Sequence, residues 1–140
     1  MQLDARTCWE RLGQAGHGVL GTMHPERGVD AVPVVYIVED DRIVSPIDTV
    51  KAKSGRRLQR LTNIESDHRC VLLVEHNDED WSRLWWVRVH GAAFEAEPTP
   101  SQLRLLGSAF PAYQADGAIT AVVVVQPEAV TGWDAEPDRA

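Results

Sequence analysis

The sequence predicts a mainly β (α+β) domain, about six antiparallel strands closing or nearly closing into a barrel with short flanking helices. Three features predict it. Runs rich in Val, Ile and Thr recur along the 140 residues, separated by Pro, Gly, Asn and Asp clusters. The turns His24–Gly28 and Glu39–Asp41 are too short for parallel crossovers, so neighbouring strands run antiparallel. Helical periodicity is confined to three short stretches, and closing the sheet removes exposed edges.

The elements follow in order. Ala5, Cys8, Trp9, Leu12 and Ala15 recur at helical spacing, so residues 4–15 form a helix that Asp4 caps. Residues 17–23 and Val29 to Val38 make a hairpin across the Pro25–Gly28 turn. Pro33 inside the second strand marks an edge, a bulge or a face turned to a ligand. Arg42 to Ile47 is a third strand. Leu58, Leu61 and Ile64 set an apolar stripe on a helix whose start lies near Gly55. Cys70 to Glu75 is a buried strand, and Asn77–Asp80 is an acidic loop. Leu84 to Glu97 is a long strand with Gly91 as a bulge or bend. Thr99 and Pro100 open a helix that turns Leu103, Leu106 and Phe110 inward. Ile119 to Val125 is a strong strand, Thr131–Trp133 its ragged continuation, and the acidic tail from Asp134 is expected to be loose.

The length fits one domain spanning residues 1–140. A net charge of −7 argues against a nucleic-acid or membrane-surface binder. The longest clean apolar run, Ala121 to Val125, falls far short of the ~20 residues that span a bilayer. The N-terminus shows neither the basic flank nor the apolar core of a secretory leader, and two cysteines make no disulfide scaffold. A reduced, cytoplasmic setting is expected.

The net charge conceals an asymmetry. Between Asp48 and Glu65 there is no acid, yet Lys51, Lys53, Arg56, Arg57 and Arg60 crowd together. Residues 49–64 carry +5 and the rest −12. Solvated helix faces usually mix signs. Five unmixed cations at a strand-to-helix junction repel one another unless an anion neutralises them, and phosphate is the obvious guest. A phosphate site and a plain solvated face both remain open from residues alone.

Other motifs weigh less. Gly16-His17-Gly18-Val19-Leu20-Gly21 spells G-x-G-x-x-G, but it follows a helix and enters a strand, the reverse of a dinucleotide fingerprint. The five histidines form no dense ligand cluster, so no metal site is expected. No serine lies in G-x-S-x-G, and Asp78, Glu79 and Asp80 read as a solvated turn. A chain whose side chains advertise no chemistry points to a borrowed cofactor. Strand alternation places Trp85, Val87 and Val89 in the core and Trp86, Arg88 and His90 on the opposite face. An aromatic beside polar groups suits a ring-binding wall or a subunit interface.

The order of these elements, with K-x-K-x-x-R-R-L-x-R-L-x-N-I at 51–64 and D-W-S-R-L-W-W-V-R-V-x-G at 80–91, resembles the split-barrel flavin-binding family of the pyridoxamine 5′-phosphate oxidase type. Within it, the chain is most similar to a small actinobacterial branch that uses the deazaflavin coenzyme F420. The resemblance spans essentially the whole chain. It implies a six-stranded split barrel that forms a homodimer with cofactor sites at the subunit interface. It places Lys53, Arg57, Arg60 and Asn63 in the segment that grips the cofactor phosphate, with Lys51 and Arg56 as helpers toward the deazaflavin's acidic tail. Ser45, Pro46 and Ile47 would end the strand running along the ring system, and Val32, Pro33 and Val34 would form the opposing contacts. Trp86 stands where flavin-using relatives carry a glutamine, while Arg88 matches the motif. The implied activity is hydride transfer between reduced F420 and a small electron-poor substrate, with no identified catalytic acid. An FMN-dependent oxidase or reductase is the first alternative, and a non-catalytic cofactor carrier the second.

Overall fold

A computed structural model describes residues 1–48 and 57–135. Helix α1 (Ala5–Ala15) begins at Asp4, whose carboxylate accepts from the Thr7 amide, and ends at Gly16. There follow β1 (His17–His24), β2 (Gly28–Val35), β3 (Ile37–Glu39), β4 (Arg42–Asp48), α2 (Gln59–Ser66), β5 (Arg69–His76), β6 (Trp85–Ala96), α3 (Pro100–Ala109) and β7 (Ile119–Asp134). Short 3-10 turns lie at Trp81–Arg83 and Pro111–Gln114. Every strand pair is antiparallel, in the order β2-β1-β5-β6-β7-β4-β3.

The seventh strand comes from Val29–Val38, expected as a single run. Tyr36 divides it. Its amide donates to the Gly16 carbonyl at 2.9 Å and its buried phenol to the Leu12 carbonyl at 2.7 Å. Bound to the end of α1, Tyr36 leaves the β1 ladder. The chain passes from one sheet edge, β2, to the other, β3, in a single residue. The sheet therefore curls on itself, yet among the described residues no ladder joins its two edges. It is a barrel split at the seam, not a closed one.

Apolar side chains alternate across the wall. The interior holds Leu20, Ile43, Leu72, Val74, Val87, Val89 and Val123, with Cys8 and Leu12 of α1 and Leu61 and Ile64 of α2 packed among them. A second cluster lies outside the β3–β4–β7 wall. Ile37, Val44, Ile119, Val122 and Val124 meet Leu106, Phe110 and Tyr113 there. Thr99 and Gln102 form a capping box that starts α3. Leu106 is fully buried, but Leu103, expected to face inward, is 41% exposed.

Gly91 marks a shift of register between β6 and β7. A side chain there would drive its Cβ into the carbonyl oxygen of Gln126, so only glycine permits the close approach. Past the shift the ladder resumes, and β7 continues to Asp134 as one strand, not a ragged extension. Asp134 is not the start of a loose tail either. It is 2% exposed and bound to the buried Arg11 at 2.6 Å. That guanidinium also lies 5.0 Å above the Trp85 ring. A partner 123 positions away holds the residue, which local composition cannot announce. Among the described residues no helix is long and apolar enough to cross a membrane.

Candidate functional site at the split of the barrel

Strand β3 pairs with β4 from Arg42 to Val44. From Ser45 to Asp48, β4 has β7 on one side and, among the described residues, no strand on the other. β2 is the opposite edge and contains Pro33, a residue edges tolerate because no neighbour needs its missing N–H. A hydrogen bond crosses the gap, from the Ser45 hydroxyl to the Val35 carbonyl at 2.8 Å.

A cavity of about 220 Å³ opens there. Pro33, Val34 and Val35 line it from β2, Ser45, Pro46 and Asp48 from β4, His17 and Gly18 from β1, Arg60 from α2 and Tyr113 from the turn after α3. Pro33, Val34, Ser45, Pro46 and Arg60, scattered over 28 positions of sequence, thus share one site. Val32 and Ile47 flank it but turn into the barrel interior.

Arg60 dominates the electrostatics. Its Nε is buried and has no hydrogen-bond partner among the described residues. Burial pulls its pKa below the ordinary arginine value, while the neighbouring Asp48 and Tyr113 act in the opposite direction. The Tyr113 phenol donates to Asp48 Oδ2 at 3.0 Å. Burial first, and then this carboxylate, raises the Tyr113 pKa.

The other expected site residues lie elsewhere. Asn63 is 1% exposed and its hydrogen bonds are internal. Its Nδ2 donates to Thr22 Oγ1 and Asp30 Oδ2, and its Oδ1 accepts from Gln59. It ties α2 to β1 and β2. Arg57 binds Glu95 at 2.6 Å and Glu65 at 3.3 Å, in a second hollow with His68 and Phe94. Trp86 and Arg88 stand on the outer face of β6, the guanidinium 5.0 Å above the indole. Lys51, Lys53 and Arg56 lie outside the described residues.

Val35, Asp48 and Tyr113 complete the cavity without a sequence signal that marks them, and His17 and Gly18 do so from the glycine pattern that reads as no dinucleotide fingerprint. Asp48 was visible only as the last acid before the basic segment. Tyr113 lies 65 positions away, in a turn with no motif of its own.

Solved structures share this architecture. A protein from Mycobacterium smegmatis described as FAD binding superposes with a TM-score of 0.64 at 18% identity, covering 95% of this chain and 96% of that one. One from Mesorhizobium loti, likewise described as FAD-binding, gives 0.72 at 14% identity, covering 94% and 95%. The heme storage protein HutZ of Vibrio cholerae gives 0.65 at 10% identity, covering 90% and 92%. At these identities the likeness is one of fold. No protein with a curated description matches the sequence. The pyridoxamine 5′-phosphate oxidase family model matches residues 4–133, nearly the full chain, and the split barrel is the fold that the sequence resemblance implied. The chain belongs to the pyridoxamine 5′-phosphate oxidase family.

Proposed function

We propose that this chain is an F420-dependent oxidoreductase that works as a homodimer, with a cofactor held where two subunits meet, on a small electron-poor organic substrate. The observation that carries the reading is Arg60. A guanidinium whose buried Nε lacks a partner among the described residues lines a cavity with an apolar wall of Pro33, Val34, Val35 and Pro46 beside the polar His17, Ser45, Asp48 and Tyr113. An anionic group beside a flat ring satisfies both surfaces, so the residues fit a phosphate-bearing ring cofactor. The bound cofactor supplies the hydride chemistry. The protein's part is to orient the ring between Pro33–Val34 and Ser45–Pro46, to neutralise the anion with Arg60 and to exclude water.

The cavity volume of about 220 Å³ is below the roughly 300–1,000 Å³ of sites that enclose a whole small ligand. One chain therefore covers only part of such a cofactor. Pro33 pairs with Val19 in the ladder, and Val19 opens a mixed surface on the outside of β1, β5, β6 and β7, where Leu73, Arg88 and Thr131 continue its row. Val19, Leu73 and Trp133 are each about 40% exposed, and Trp86 stands among them. A second copy on this face would shelter the tryptophans and complete the cofactor's wall.

Titration of the purified protein with F420 and with FMN tests the cofactor. The expected result is saturable F420 binding with FMN weaker. Tight FMN binding without F420 binding would replace the reading by an FMN-dependent one, which the two FAD-binding neighbours favour. Binding without turnover of any quinone or enone would leave a carrier, a role in keeping with the heme storage neighbour. Light scattering that gives a monomer mass would overturn the dimer.

A further inference from the structure

Arg60 stands beside a carboxylate that does not satisfy it. It lies in the first turn of α2, where the helix dipole disfavours a cation, and burial strips part of its water. Among the described residues, the charge that most offsets these costs is that of Asp48. Yet Arg60 Nε stays buried without a partner among the described residues, and Asp48 Oδ2 accepts instead from the Tyr113 phenol at 3.0 Å. A carboxylate able to turn would close on such a guanidinium in a charge-assisted hydrogen bond.

Both ends of the Tyr113–Asp48 hydrogen bond are fixed from behind. The β4–β7 register shifts between Ile47 and Asp48 and leaves Thr120 as the extra residue of β7. The Thr120 hydroxyl donates to the Ile47 carbonyl at 3.2 Å and braces the shift. A shift of this kind re-aims the side chain next to it, here that of Asp48. Tyr113 is held by its amide, which donates to the Phe110 carbonyl at 2.9 Å, and by an edge-on ring contact with Phe110 at 6.1 Å between centroids. Gln114 ties the same turn to α3 through the Gly107 carbonyl, at 3.1 Å. The phenol has one proton and gives it to Asp48, so it restrains the carboxylate and donates to nothing else.

We propose that Asp48 and Tyr113 are a positioning pair for the cofactor's anion: Asp48 offsets the buried charge of Arg60, and Tyr113 withholds Asp48 from Arg60, so that the guanidinium meets the anion unengaged. The assignment rests on the cofactor reading above and names the residues that prepare Arg60 for it. Without Asp48, the buried cation loses its main offset. Without the phenol, Asp48 turns to Arg60, and an arriving anion must first displace it.

The test follows the Arg60 Nε–H resonance of isotope-labelled, cofactor-free protein while inorganic phosphate is added. Loss of the signal in Arg60→Ala assigns it. In the wild type the resonance should move with phosphate. In Tyr113→Phe it should be displaced before any phosphate is added, and half-saturation should need about fivefold more phosphate or higher, a coupling usual for charged neighbours in one network. Adding Asp48→Asn to Tyr113→Phe should restore at least wild-type phosphate affinity, which would not follow if the phenol only supported the fold. Should Tyr113→Phe fail to fold, Asp48→Glu, whose carboxylate reaches one methylene farther, should weaken phosphate binding in the same way. A wild-type resonance indifferent to phosphate, a Tyr113→Phe loss that persists with Asp48→Asn, or full affinity in Asp48→Glu overturns the proposal. F420 titration of the wild type is read separately: no F420 binding while the phosphate pattern holds would remove the cofactor reading alone.

Discussion

Replacing Arg60 by alanine separates the cofactor site from the rest of the basic segment. The guanidinium lines the cavity, its Nε has no partner among the described residues, and burial has stripped part of its water. A cofactor anion that pairs with it makes a charge-assisted hydrogen bond worth about 1.5–3 kcal/mol. Arg60→Ala should therefore raise the F420 Kd about 12- to 150-fold. Arg57 is the internal control. It is nearly half exposed and already engaged by Glu95 and Glu65, pairs of a kind worth about 0–1 kcal/mol. Arg57→Ala should change the Kd by less than about fivefold. Stability without cofactor should move by no more than about 1 kcal/mol for Arg60→Ala, because the lost attraction to Asp48 is offset by the relieved desolvation. Calorimetric titration of the three proteins at fixed salt, with urea denaturation alongside, checks all of this. Equal affinity in wild type and Arg60→Ala would remove Arg60 from the site. Equal losses in both variants would show diffuse attraction by the whole segment.

Three further outcomes test the scaffold. Gly91→Ala should cost about 2–4 kcal/mol in urea denaturation, since its Cβ meets backbone that cannot swing aside; a loss below 1 kcal/mol would mean that the ladder there yields freely. Asp134→Ala strands the buried Arg11 and should destabilise by about 3–5 kcal/mol, with proteolysis at the C-terminus as a second readout. Asp30 is held down to about 2, first by the Arg27 guanidinium and then by the Asn63 amide, against an ordinary 3.8. Its ionised form favours the folded state, so that contribution is complete above about pH 4 and disappears as pH falls through about 2. Asp30→Asn should flatten this part of the acid unfolding curve; an unaltered curve would refute the assignment.

Strand periodicity made the barrel legible. Cys70–Val74 is a continuous apolar run bounded by polar residues, and from Val87 to His90 polar and apolar side chains alternate; Val87 and Val89 enter the core while Arg88 and His90 stay exposed, as alternation requires. Gly91 announced its own register shift. Tyr36 gave no such warning. Val29–Val38 is uniformly strand-forming, and only the hydrogen bonds from Tyr36 to Leu12 and Gly16 show where the chain changes edges. Leu103 satisfied helical spacing with Leu106, but only Leu106 joins the cluster against the β3–β4–β7 wall.

The sequence by itself determined most of the strands, the antiparallel pairing, the family and the concentration of positive charge at 49–64, because each is written in local spacing or composition. Tertiary structure decided which cations face which neighbours. It gave Arg57 to Glu95 and buried Asn63 against Thr22 and Asp30, and it put Arg60 with Asp48 and Tyr113 at the split. These partners lie tens of residues apart. Only the curl of the sheet, which sets its two edges side by side across Tyr36, brings them within reach.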